Sequence, residues 1–165
     1  MSVLATVTFY ELVLIAHIAA AIVAFGVVFS YPVLEATVRR ASPAAIPAVH
    51  RAQLRIGQVI VTPAATVVLL AGLYMGSERW EFSQGWLGAG MALIAVLLGL
   101  GGAYFAPRER RLADLAERDV AASGGGEVAF SEEYERLSRQ VAIVGAVTYV
   151  LIIAAVWVMV TKPGI

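Results

Sequence analysis

Four long apolar stretches fill most of the chain, and nearly all of its basic residues are confined to two of the gaps between them. A lipid bilayer is the solvent that fits such a pattern, because about 20 consecutive apolar residues cross its hydrocarbon core as a helix. The stretches run over about 10–35, 53–76, 85–106 and 140–160. Backbone polar groups within lipid must be satisfied inside each span, so the expected fold class is all-α: a four-helix transmembrane bundle. The whole of 1–165 reads as one integral membrane domain.

The arginines orient it. Arg39, Arg40, Arg51 and Arg55 lie in or beside the first gap, and Arg108, Arg110, Arg111, Arg118, Arg136 and Arg139 in the third. The second gap holds only Arg79, and the tail only Lys162. Basic loops stay on the cytoplasmic side, so loops 36–52 and 107–139 are expected inside and both termini extracytoplasmic. The expected location is the inner (plasma) membrane, multi-pass. No basic residue precedes the first apolar run, and Glu11 opens it, so this span reads as permanent rather than as a cleaved signal. Phe9, Tyr10, Trp80, Trp86 and Trp157 fall near the outer interface, where amphipathic rings settle.

Formal charge sums to zero, and the basic loops are interrupted by acids. Arg108 to Asp119 alternates in sign around Leu112 and Leu115, as a solvated amphipathic extension of the third helix does. A nucleic-acid surface is more uniformly basic, so no nucleic-acid partner is expected. The implied partners are the bilayer and either a second copy of the chain or a larger membrane complex. The chain has no cysteine, which removes disulfides, thiolate metal sites and cysteine nucleophiles.

Local signals subdivide the loops. Gly124, Gly125 and Gly126 read as a flexible hinge. Ser131 before Glu132 and Glu133 reads as the N-cap of the fourth helix, and Ser42-Pro43 as the start of a short helix leading to the second span. Pro32 and Pro63 should kink their spans. Small residues recur at helical spacing in every span, including Gly88, Ala92, Ala95, Gly99 and Gly102 in the third. Such stripes are expected to face neighbouring helices.

His17 is the one histidine within a span, roughly 10 Å below the outer surface at 1.5 Å per residue. Ala20, Ala21 and Ala24 flank it, leaving room for a neighbouring helix or for a flat cofactor. Three readings stay open: structural hydrogen bonding, haem or metal ligation, and proton relay. Met75, Met91 and Met159 map to the same leaflet, and thioether with imidazole suits haem or soft copper, which makes His17 with Met91 a candidate metal pair. His50 lies beside Arg51 at the opposite face and is expected to be a solvated loop or interfacial side chain. Glu35 is expected to pair with Arg39 one turn on, and Glu11 to point to water. No paired carboxylates, nucleophile–base set or phosphate-binding glycine loop is present, so no catalytic residue is assigned.

Leu14-Ile15-Ala16-His17-Ile18, then Ala24-Phe25-Gly26-Val27-Val28-Phe29, then His50-Arg51 and Leu70-Ala71-Gly72-Leu73-Tyr74 together resemble the integral membrane proteins of domain of unknown function 2269. The histidine-then-glycine first helix is also similar to the copper-resistance D type of membrane protein and to the four-helix bacterial protoporphyrinogen oxidase. That second resemblance implies haem b held by His17. The oxidase also relies on a lysine, whereas the single lysine here is Lys162, and the tryptophan usual before the glycine is Phe25. The expected function is therefore a non-enzymatic or accessory bacterial membrane protein binding haem b through His17. The alternatives are a membrane oxidoreductase acting on a porphyrin or quinone, and a copper-handling or small-solute transport protein.

Overall fold

The computed structural model describes residues 7–79 and 83–164, and all regular structure among them is helical. Trp80 and Glu81 lie outside the described residues. Four rods run through the molecule, Phe9–Ala41, Pro43–Arg79, Gly85–Ala122 and Glu132–Thr161, each long and apolar enough to cross a membrane. At 1.5 Å per residue the first three are about 50 Å long or more, well beyond a hydrocarbon core of about 30 Å. Their excess length gathers at one end with most of the arginines. The other end carries Phe9, Arg79 and Lys162, and is called the tail end below.

Proline divides the rods. Helix α1 (Phe9–Gly26) passes through a 3-10 turn, Val27–Ser30, into α2 (Tyr31–Ala41). Helix α3 (Ile46–Ile56) passes through a π-turn, Gly57–Val61, into α4 (Thr62–Arg79), and α5 (Gly85–Gly99) through a π-turn, Leu100–Phe105, into α6 (Ala106–Ala122). Helix α7 (Glu132–Thr161) is unbroken. A proline ring collides with the carbonyl four residues back and offers it no N–H. For Pro32, Pro63 and Pro107 that residue is Val28, Val59 and Ala103, and each falls inside the irregular turn. The kinks expected at Pro32 and Pro63 are thus changes of helical winding, and Pro107 adds a third that the hydropathy pattern concealed.

Caps set the rod ends. Thr8 and Glu11 form a reciprocal capping box on α1, with the Thr8 N–H donating to Glu11 Oε2 at 2.8 Å, so Glu11 has a structural task besides facing water. The Ser131 hydroxyl accepts from the Tyr134 N–H at 3.4 Å and caps α7 as expected. Ser42 makes no side-chain cap; Pro43–Ala45 is a 3-10 turn leading to α3. The glycine hinge is a formed turn: Gly124 and Gly125 take φ of 57° and 87°, a region open to glycine at little cost.

Within the membrane, α1 packs on α4, α4 on α5 and α5 on α7. The spans therefore form an arc, and the seam between α1 and α7 is closed chiefly by Phe29 stacked on Tyr149 at 4.7 Å. Tyr149 also donates its hydroxyl to the Val28 carbonyl at 3.1 Å. Pro32 denies that carbonyl its α-helical N–H; it accepts instead from the Tyr31 N–H in the 3-10 turn and from the Tyr149 hydroxyl.

Small residues serve the packing unequally. Ala24, Ala65 and Gly76 are buried where α1, α4 and α5 converge. On α5 the inward residues are Leu87, Gly90, Ile94 and Leu97, while Gly88, Ala92, Ala95 and Gly99 are exposed. The expected α5 stripe is therefore on the outer face. A Cβ built on Gly99 meets nothing within 4 Å, whereas one on Gly90 falls 1.8 Å from the Met159 methyl. The α5 packing glycine is Gly90.

Candidate functional site

The interior of the arc is hollow in both halves. Near the arginine-rich end lies a cavity of ≈ 930 Å³, and near the tail end one of ≈ 850 Å³. Phe25, Leu97 and Ile152 line both, standing between them as a thin apolar septum.

The tail-end cavity contains His17. Half-buried on α1, its ring packs against Gly72 of α4, where a built Cβ would come within 3.4 Å of the imidazole Cε1. A side-chain carbon at that position would be in ordinary contact with the ring, so α1 and α4 approach closely here. The backbone of Val68 faces the imidazole, yet Nδ1 is buried without a hydrogen-bond partner. A buried polar atom left so costs about 1–3 kcal/mol. Met75, Met91 and Met159 line the same cavity, so the methionines matched by depth in the sequence do share a space with His17. Met159 is committed to packing over Gly90. At the mouth, Lys162 stands over the Trp86 ring at 5.5 Å. Among the described residues no three His, Asp or Glu side chains converge as a metal set.

His50 is where the structure departs most from expectation. Far from being solvated, it is 1% exposed. Its Nδ1 lies 2.8 Å from Glu109 Oε2 and its Nε2 2.9 Å from the Tyr134 hydroxyl. With Glu109 ionised, Nδ1–H donates to the carboxylate and Nε2 accepts the tyrosine proton, which satisfies a neutral imidazole completely. Three elements converge to build this chain: α3 brings His50, α6 brings Glu109 and α7 brings Tyr134. Ile46, Leu112, Leu115 and Ala116 enclose it as an apolar cluster, with Phe130 stacked on Tyr134 at 4.6 Å. The sequence held the signal in its periodicity. Ile46, Val49, His50 and Gln53 are spaced 3, 1 and 3 residues apart on one face of α3, and all four are buried. Glu109, Leu112, Ala113, Ala116 and Asp119 make the facing stripe on α6, so the extension reads as amphipathic but docked rather than free in water.

Around that core the charges neutralise one another. Arg39 pairs with Glu135, not with Glu35, and lies over the Phe130 and Tyr134 rings. Glu35 instead accepts from the Ser138 hydroxyl at 3.4 Å. Arg51 pairs with Glu117, and Arg111 with Glu133 at 2.7 Å. Asp119 accepts the Ser131 N–H at 2.8 Å and meets Arg118 at 3.2 Å, tying α6 to the start of α7. Toward the membrane this polar core opens onto the larger cavity through Glu109, Glu35, Gln53 and Ser138.

Compared with known proteins, residues 11–163 match the family described as predicted integral membrane protein, DUF2269, and the chain belongs to that family. No curated protein and no solved structure matches it. The likeness to the copper-resistance D type and to the four-helix oxidase therefore rests on the first-helix residues alone.

Proposed function

We propose that this integral membrane protein, set in the plasma membrane with both termini extracytoplasmic, is an accessory protein that holds a haem b through His17. The observation that carries the reading is the buried, unpartnered Nδ1 of His17 on an apolar cavity of ≈ 850 Å³. That volume lies within the range of about 300–1,000 Å³ typical of cofactor and ligand sites. His17 would supply a ligating nitrogen, and Lys162 a cation at the mouth for an acidic substituent. Bound there, the group would supply redox or ligand-binding chemistry at iron, tuned by the single imidazole and the apolar wall. The three methionines favour a second reading, soft-metal binding of copper(I) by His17 with Met91 and Met75.

The purified protein decides between them. Haem binding predicts a Soret band that His17→Ala abolishes without loss of the folded protein, since alanine suits a helix interior. Replacing His50 should leave the band in place. Copper binding predicts no Soret band and about one copper per chain, lost with His17→Ala and weakened by Met91→Leu. A protein that keeps its full haem after loss of His17 refutes the ligand assignment. The topology has its own test: a reporter at the C-terminus should behave as extracytoplasmic and one inserted at Gly124–Gly126 as cytoplasmic, the opposite result reversing the orientation.

A further inference from the structure

The larger cavity makes no use of His17 and lies on the other side of the Phe25, Leu97 and Ile152 septum. Two of the side chains that line it carry buried polar atoms with no partner: Nε2 of Gln53 and the hydroxyl of Tyr31. Gln53 is only 4% exposed, so its unused donor is shut off from bulk water. Both groups can donate a hydrogen bond, and an amide nitrogen can do nothing else. What completes this site is an acceptor oxygen. An anionic head group is disfavoured, because two carboxylates, Glu35 and Glu109, line the cavity against the single guanidinium of Arg110. A cation is disfavoured too, because it cannot accept from Gln53, and Glu109 is already held by His50. The remaining wall is mainly apolar, with Phe25, Val28, Val61, Leu97 and Ile152 among it. The π-turns Gly57–Val61 and Leu100–Phe105 both border the space, and such turns recur where helices are opened for ligands.

We propose that this cavity is a second binding site, for a neutral lipid-soluble molecule that carries carbonyl oxygens at one end. Gln53 and Tyr31 hold the carbonyl end, and the apolar wall takes the rest. A quinone and a diacylglycerol share that chemistry, and the two are told apart by competition.

The full-length protein in nanodiscs is titrated with radiolabelled decylubiquinone, and separately with dioctanoylglycerol. Saturable binding of either probe, weakened about tenfold by Gln53→Leu and comparably by Tyr31→Phe, is the expected result for loss of one buried hydrogen bond. Displacement of one probe by the other identifies which source of carbonyl is preferred. His17→Ala should leave this binding unchanged, so failure of the haem reading does not touch it. Should Gln53→Leu fail to fold, Tyr31→Phe still tests the site, since it removes one oxygen atom. Absence of saturable binding by both probes overturns the proposal, as does binding that both substitutions leave intact.

Discussion

At the arginine-rich end His50 has a partner for each ring nitrogen and an apolar shell around it, whereas in the tail half His17 has none for Nδ1 and a cavity beside it. A histidine with both nitrogens spoken for in a packed core is fixed in tautomer and orientation, and its first contribution is to hold three helices together. One whose buried nitrogen is idle costs stability as it stands, and gains it back when something binds. The same contrast runs through the surroundings. The arginine-rich end is cross-tied by ion pairs from α2, α3 and α6 to α7 and α6, while the spans meet through apolar side chains and leave their centre hollow.

Substitutions can break this contrast. The largest effect is expected from His50→Leu, which strands the Glu109 carboxylate and the Tyr134 hydroxyl in a dry core and should cost about 3 kcal/mol. Unfolding in detergent measures it, and a near-neutral result would show that the core is wet. Gly90→Leu comes next, at about 1–3 kcal/mol, because the new side chain must displace Met159 from between α5 and α7. Tyr134→Phe, which spares the ring stack and removes one hydrogen bond, should cost about 1 kcal/mol. For His17→Ala in the ligand-free protein the loss should be no more than about 0.6 kcal/mol, the average for a polar contact between membrane helices. A larger loss would mean that His17 is structural, and the two histidines would then be alike. Gly99→Leu should change nothing measurable in the monomer, since its Cβ direction is open.

How far the sequence reveals all this depends on which solvent each segment meets. The four spans are plain because lipid demands a continuous apolar run. Which face of a span turns inward is not plain, because lipid and protein interior select the same residues; the small stripe of α5 lies on its outer face for that reason, with Gly90 inside. Beyond the membrane the solvent is water and polarity becomes informative again. There the stripes of α3 and α6 mark His50 and Glu109 as inward, provided the loops are read as docked helices rather than as connections. His17 was identifiable as a lone polar group in an apolar run, but its bare Nδ1 arises from how α1 meets Gly72, a tertiary fact. The Arg39–Glu135 pair likewise joins residues far apart in the chain, where the sequence offered the nearer Glu35.

The π-turns have one more consequence. Each adds about one residue relative to α-helical winding, which rotates everything beyond it by about 100°. Continued at the spacing of Leu87, Gly90, Ile94 and Leu97, the inward stripe of α5 would arrive at Arg108 and Arg111. The stripe of α6 runs instead through Glu109 and Leu112. The Leu100–Phe105 turn thus acts as a phase slip, delivering a carboxylate rather than a guanidinium to His50. Deleting a single residue there would remove the slip and keep Glu109 on the inward stripe, whereas rewinding the turn as α-helix at full length would bring Arg108 to His50 and exchange the sign of the charge beside it.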